Sequence, residues 1–215
     1  EHPELMPTPI PSPWPSLNEV LSTRGWLGGM LITIGAFSSR GKSIVMTNCA
    51  EFAARDGYKV AVFSMEMPRK EIFNRVLAAA SRQRLTPIKR REVGEIDRAR
   101  LKETTDQLAG STLRVWDDGS ATVDFVRQQC MMMKRTVGLD LVVVDYLQIL
   151  NESEGDNREQ RVSAAAKKLK ALAMKLNVPV ITASQLNDSE KGGPLSLSSM
   201  RESKGIGNNS DVVVL

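Results

Sequence analysis

The stretch Gly35-Ala36-Phe37-Ser38-Ser39-Arg40-Gly41-Lys42-Ser43 constrains this chain more than any other. It reads G-x-x-x-x-G-K-S, follows an apolar run at residues 30–34, and precedes a helical pattern beginning near Lys42. Strand, glycine-rich turn and helix in that order form the setting of a phosphate-binding loop. Glycines permit backbone angles that a Cβ resists, so successive N–H groups can turn inward around phosphates while the helix N-terminus adds its positive dipole. Residues 35–43 are therefore candidate nucleotide contacts. Lys42 is expected to reach the β- and γ-phosphates, and the Ser43 hydroxyl to hold Mg²⁺.

Strand and helix patterns alternate through the rest of the chain. Residues 1–15 hold six of the ten prolines, which predicts an extended linker or tether with no core of its own. The folded domain is expected over residues 16–215. After the loop, Ile44, Val45, Cys49, Phe52 and Ala53 fall near helical spacing up to Asp56-Gly57. Apolar strands are expected at 58–64, 113–116, 139–145 and 178–183, with a further one beginning at 211. Their almost wholly apolar composition suits a parallel sheet covered on both faces. Pro68 can open a helix carrying Ile72, Phe73, Val76 and Leu77, and residues 82–109 read as charged outer helix. After Ser120 a stripe of Val123, Val126, Cys130, Met133 and Val137 reads as packing. Residues 157–176 form a long helix and 187–194 a mobile loop. These alternations imply an α/β fold, a three-layer α/β/α domain around a mostly parallel central sheet.

Ligands collect at the carboxyl ends of the strands in such a sheet. Asp145 ends its strand as a Walker B acid does, in position to hold Mg²⁺ directly or through water. Glu66 follows the 58–64 strand; beside a terminal phosphate it can orient and deprotonate water, and its flanking Met65 and Met67 argue against the exterior. Gln185 closes the 178–183 strand, either sensing the γ-phosphate or simply capping the strand end. Arg75 stands four residues after Glu71, the spacing of a helical surface ion pair. Arg201, Glu202 and Lys204, taken alone, read as a charged turn.

Composition adds mainly exclusions. Cys49 and Cys130 lie far apart with only one His in the chain, so neither a zinc site nor a disulfide framework is suggested, and a cytoplasmic location fits. No apolar run approaches membrane-spanning length. A net charge of +4 permits a polyanionic partner without requiring one.

Taken together, residues 35–43, 62–67, 142–148, 157–160 with 169–173, 178–186 and 201–203 resemble the RecA-like ATPase domain of the DnaB-type replicative DNA helicases. The resemblance covers about residues 16–215. It implies Mg²⁺-dependent ATP hydrolysis coupled to movement along single-stranded DNA and duplex unwinding, in a homo-oligomer that is a hexameric ring, with primase and a helicase loader as partners. By that likeness Glu66 is the catalytic base, Asp145 the metal acid, Gln185 the γ-phosphate sensor and Arg75 a further contact at the nucleotide site. Arg201, Glu202 and Lys204 would follow the DNA backbone. The chain departs from the family pattern at Lys204, where Gly is frequent, and at Phe37 and Arg40 within the loop. Against the family pattern it is also truncated, lacking the N-terminal domain and the basic finger beyond the last strand, so it is expected to bind nucleotide better than it hydrolyses it. Two other readings stay open: a RecA- or RadA-like recombinase, and an ATP-dependent DNA-binding or loading module without turnover.

Overall fold

The computed structural model describes residues 8–145, 155, 157–186 and 204–215. In chain order the elements are α1 (Pro15–Val20), β1 (Leu31–Ala36), α2 (Lys42–Arg55), β2 (Val60–Ser64), α3 (Arg69–Ser81), α4 (Leu85–Arg90), α5 (Glu95–Ala109), β3 (Leu113–Trp116), α6 (Val123–Thr136), β4 (Leu141–Asp145), α7 (Arg158–Leu176), β5 (Val180–Gln185), α8 (Lys204–Asn209) and β6 (Val212–Val214). The six strands form one sheet in the order β3-β2-β4-β5-β1-β6, and each of its strand pairings is parallel.

Period-2 alternation divides the core between the two faces of this sheet. Val142 and Val144 of β4 join Phe63 in a cluster with Val126, Cys130 and Met133 of α6 and Leu169 of α7. Leu141 and Val143 face the other way, with Ile32, Ile34 and Val62, onto Ala50 and Ala53 of α2 and Ile72 and Val76 of α3. Phe63 also stacks on Trp116 at 4.8 Å between centroids and meets Phe125 edge-on. Two covered faces explain why the strands carry so few polar residues. Leu169 is fully buried in the first cluster. Leu169→Ala is expected to cost about 2–5 kcal/mol, read as a lower urea midpoint with an unchanged m-value.

Local sequence sets the helix ends. Thr122 caps α6 by accepting a hydrogen bond from the Phe125 N–H, and Asn157 caps α7 by accepting from Gln160. Asn177 then ends α7 in the left-handed conformation.

Several expectations need correction. Ile44 is 52% exposed, because the buried face of α2 is built from Met46, Thr47, Cys49, Ala50, Ala53 and Ala54, whose mostly small side chains allow close packing. Phe52 is only half-buried and lies under the Arg55 guanidinium. Phe73 and Val137 are exposed; Val137 comes just after the last residue of α6 and leaves the stripe. Residues 82–109 form two helices, α4 and α5, because α3 ends at Arg82 and α4 at Arg91, both left-handed. In the proline-rich segment, Ile10 is buried in the core of the domain and bridges Trp26, while Ser12 and Asn18 exchange hydrogen bonds. Pro15 is the first residue of α1. Residues 187–194 lie outside the described residues.

Candidate nucleotide-binding site

The turn between β1 and α2 begins later than its glycine spacing suggests. Gly35 and Ala36 are still strand residues, and a Cβ on Gly35 would come within 2.7 Å of a Leu215 methyl. Gly35 therefore does not form a left-handed turn, and the Leu215 side chain, 40% exposed, closes over it. The positive φ angles fall at Ser39 (59°) and Gly41 (91°). A Cβ at Gly41 would meet nothing within 4 Å, so its requirement for glycine is conformational. Gly41 caps α2, accepting from the Ile44 and Val45 N–H groups. The start of a 14-residue helix, with its partial positive charge, thus faces the loop.

A cleft of about 290 Å³ opens over this helix end, lined on the loop side by Ser38, Ser39, Gly41, Lys42, Ser43 and Ile44. Glu66, Met67, Arg75 and Gln185 line the rest. The Lys42 ammonium donates to the Ala36 carbonyl at 3.3 Å, which holds its stem back along the loop. Gln185, the last residue of β5, is in register with Ala36. The parallel pairing of β5 and β1 therefore brings an amide side chain next to the loop, although the two residues are far apart in sequence.

Asp145 lies at the end of β4, 3% exposed. The Met65 N–H donates to its carbonyl at 3.0 Å, and Ser64 is its register partner. The Ser64 hydroxyl donates to the Met67 carbonyl and accepts from the Met67 N–H, closing a tight turn. That turn projects Glu66 over the end of β4. Glu66 itself is exposed, contrary to the inference from its flanking methionines: Met65 is buried beneath the sheet end and the turn lifts Glu66 into the open cleft.

Burial pushes the Asp145 carboxyl above its ordinary value. A hydrogen bond from Ser43 opposes this, the nearby Glu66 charge adds to it, and Lys42 and Arg75 pull it back. Among the described residues, its buried Oδ1 has no hydrogen-bond partner. An orphaned carboxylate oxygen beside a serine hydroxyl suits a hard cation such as Mg²⁺, which takes one or two carboxylates and completes its shell with phosphates and water. Among the described residues there is no cluster of three or more His, Cys, Asp or Glu side chains that would hold a metal unaided.

The raised carboxyl gives a definite sign. The native state keeps its proton to higher pH than the unfolded chain, so stability falls as pH rises from the ordinary value of 3.8 through the raised native one. Asp145→Asn is therefore expected to stabilise the metal-free protein at pH 7, read as a higher urea midpoint. The gain should vanish below 3.8. Urea titrations at both pH values check this; equal midpoints at pH 7 would contradict it.

Arg75 both pairs with Glu71 at 3.4 Å, as its spacing suggests, and lines the cleft. Its buried Nε has no partner among the described residues. Glu71 is also held by Lys89 of α4 at 2.9 Å. Gly35, Ala36, Phe37 and Arg40 do not line the cleft. Phe37 packs against the core and Arg40 is exposed. Arg201 and Glu202 lie outside the described residues, and Lys204 begins α8. Sequence reasoning missed Ile44 and Met67 as lining residues and Ser64 as the residue that shapes the Glu66 turn. Ile44, an apolar residue immediately after the G-K-S, carried a usable signal; Ser64 carried none.

Six parallel strands, helices on both faces and a phosphate-loop turn at the carboxyl ends define a P-loop α/β domain of the RecA-like class. Residues 10–215 match the family described as the DnaB-like helicase C terminal domain, and the chain belongs to that family. A replicative DNA helicase DnaB from Leifsonia xyli subsp. xyli is 33% identical over 220 residues, covering 100% of this chain and 48% of its own length. The DnaB of Buchnera aphidicola subsp. Schizaphis graminum is 36% identical over 200 residues, 89% of this chain and 43% of its own length. The chain thus spans about half the length of these relatives. Among solved structures, an ATPase domain superposes with a TM-score of 0.88 at 27% identity, covering 96% of this chain and 75% of that one. A DnaB-like replicative helicase, described together with its interactions with primase, gives a TM-score of 0.88 at 26% identity, covering 98% and 52%. No helix among the described residues is long and apolar enough to cross a membrane.

Proposed function

We propose that this chain is the ATP-driven motor domain of a replicative DNA helicase, acting in the cytoplasm as part of a hexameric ring on single-stranded DNA. The observation that carries the reading is the convergence of the Lys42 turn, Glu66, Arg75 and Gln185 on one cleft, with the orphaned Asp145 oxygen beside Ser43. In this reading Lys42 and the α2 N-terminus bind the triphosphate, and Arg75 supplies a second cation to it. Ser43 and Asp145 hold Mg²⁺, which contributes neutralisation of phosphate charge when bound. Glu66 orients a water molecule in the open cleft and takes its proton. Gln185 donates its amide to the terminal phosphate and, standing at the end of β5, passes the loss of that phosphate to the segment that follows. Arg201, Glu202 and Lys204 track the DNA backbone, with little sequence preference. The interactions with primase described for the DnaB-like structural neighbour support primase as a partner here, and a helicase loader is expected beside it.

The test is ATP hydrolysis by the full-length protein with and without single-stranded DNA, together with unwinding of a forked duplex. Stimulation by DNA and strand displacement are expected, both lost together in Arg201→Ala. Strand pairing without unwinding, or hydrolysis indifferent to DNA, would remove this reading.

A further inference from the structure

The basic excess of the chain is concentrated in one short segment. The net charge is +4. Residues 82–91 alone carry Arg82, Arg84, Lys89, Arg90 and Arg91 with no acid among them, so the rest of the chain is net −1. All five side chains belong to exposed residues. They flank or end α4, a helix of six residues and so about 9 Å long. Charges grouped at that scale lie within about one Debye length at physiological salt and act together. Lys89 is engaged by Glu71, and Arg90 stands 4.0 Å from Glu92. Among the described residues, Arg82, Arg84 and Arg91 form no ion pair. Arg82 and Arg91 also hold φ angles of 56° and 59°, a conformation that glycine or asparagine adopts with less strain. The helix C-termini beside them favour positive charge, but that preference needs neither five cations nor arginine at a left-handed position.

We infer that this segment is a second nucleic-acid contact, one that binds the sugar-phosphate backbone of DNA at a site separate from α8, the helix that Lys204 begins. The separation follows from topology. α4 packs on α3, whose Ile72 and Val76 lie against one face of the sheet, whereas α8, begun by Lys204, packs on α7 and places Ile206 in the cluster on the other face. The chemistry favours nucleic acid over an acidic protein. Leu85, Pro87 and Ile88 are half-buried, so only Thr86 and the cations are exposed along α4 and its caps. A protein partner relies on apolar or aromatic anchors. Phosphates need only guanidinium forks, which bind them bidentately. No aromatic residue stands in the segment to stack on a base, so single- and double-stranded DNA are both bound and sequence is not read. The proposal rests on the helicase reading for its choice of polymer.

The experiment is fluorescence anisotropy of a labelled single-stranded oligonucleotide, and of the same sequence as duplex, titrated with the full 215-residue chain across a salt series without nucleotide. The test variant combines Arg82→Asn, Arg84→Gln and Arg91→Asn, because asparagine tolerates the left-handed backbone. In an Arg201→Ala background the combined variant should bind DNA about tenfold or more weakly at low salt. Its slope of log affinity against log salt on single strands should be shallower by about 2. Affinity for a fluorescent ATP analogue should be unchanged. Changing the same three residues to Lys should keep most of the slope; loss as deep as in the Asn/Gln variant would mean that charge is not the cause and would overturn the proposal. An unchanged slope in the Asn/Gln variant would also overturn it, as would binding of poly-glutamate that depends on these residues while DNA binding does not. Failure of the unsubstituted chain to bind the ATP analogue would count against the motor reading alone, since the DNA titration uses no nucleotide.

Discussion

Glu66→Gln is expected to lower kcat for ATP hydrolysis by about 10²–10⁴-fold while leaving ATP affinity within a few-fold, the range that a positioned general base contributes. The substitution keeps shape and removes the negative charge together with the capacity to take a proton. Glu66 is exposed in the cleft and forms no part of the packed core, so no packing is lost. Its charge raises the neighbouring Asp145 carboxyl, and removing it should move that carboxyl down toward its ordinary range. Single-turnover hydrolysis by the full-length protein measures the rate effect, and a fluorescent nucleotide measures binding. A variant that retains turnover within a few-fold would show that water is activated elsewhere.

Lys42→Ala should do the opposite and act on binding. The ammonium reaches the cleft from the first residue of α2 with its stem held against Ala36, and among the described residues no other cation lines the loop side. Removing one partner of a desolvated charge pair costs about 2–5 kcal/mol, which is roughly 30- to 4,000-fold in Kd. Isothermal titration with ATP and Mg²⁺ would measure it. A loss much smaller than this would mean that Arg75 or the loop amides dominate phosphate binding. The two variants are separable by design: one binds without turning over, the other fails to bind.

Both predictions rest on positions that are partly legible in the sequence. The loop motif and the apolar runs ending in Asp145 and Gln185 locate strand ends, and in a parallel sheet strand ends are where a ligand sits. The arrangement of those ends is not legible. β1 lies beside β5 and not beside β2, so Gln185 reaches the loop through a pairing that no local pattern encodes. Glu66 is marked by its place after a strand, but its flanking methionines point to the wrong environment. Met65 is buried, and the Ser64-Met67 hydrogen bonds turn the next residue outward. Arg75 is ambiguous between an ion pair and a site contact because i,i+4 spacing is blind to what lies beyond the helix; it is both. The proline-rich start misleads for a similar reason. Composition predicts an extended backbone, but cannot predict that Ile10 finds Trp26.

The order of residues alone determined the alternation of strand and helix, the phosphate-loop chemistry and the polar groups that close each strand, because each is a local pattern of apolar spacing, glycine and charge. Only the tertiary structure decided which strand ends become neighbours, that Gly35 stays in the strand while Gly41 takes the positive φ, and that Asp145 has an oxygen unpartnered among the described residues. The physical reason is that sheet order and burial are set by long-range pairing, whose energies depend on residues far apart in the chain.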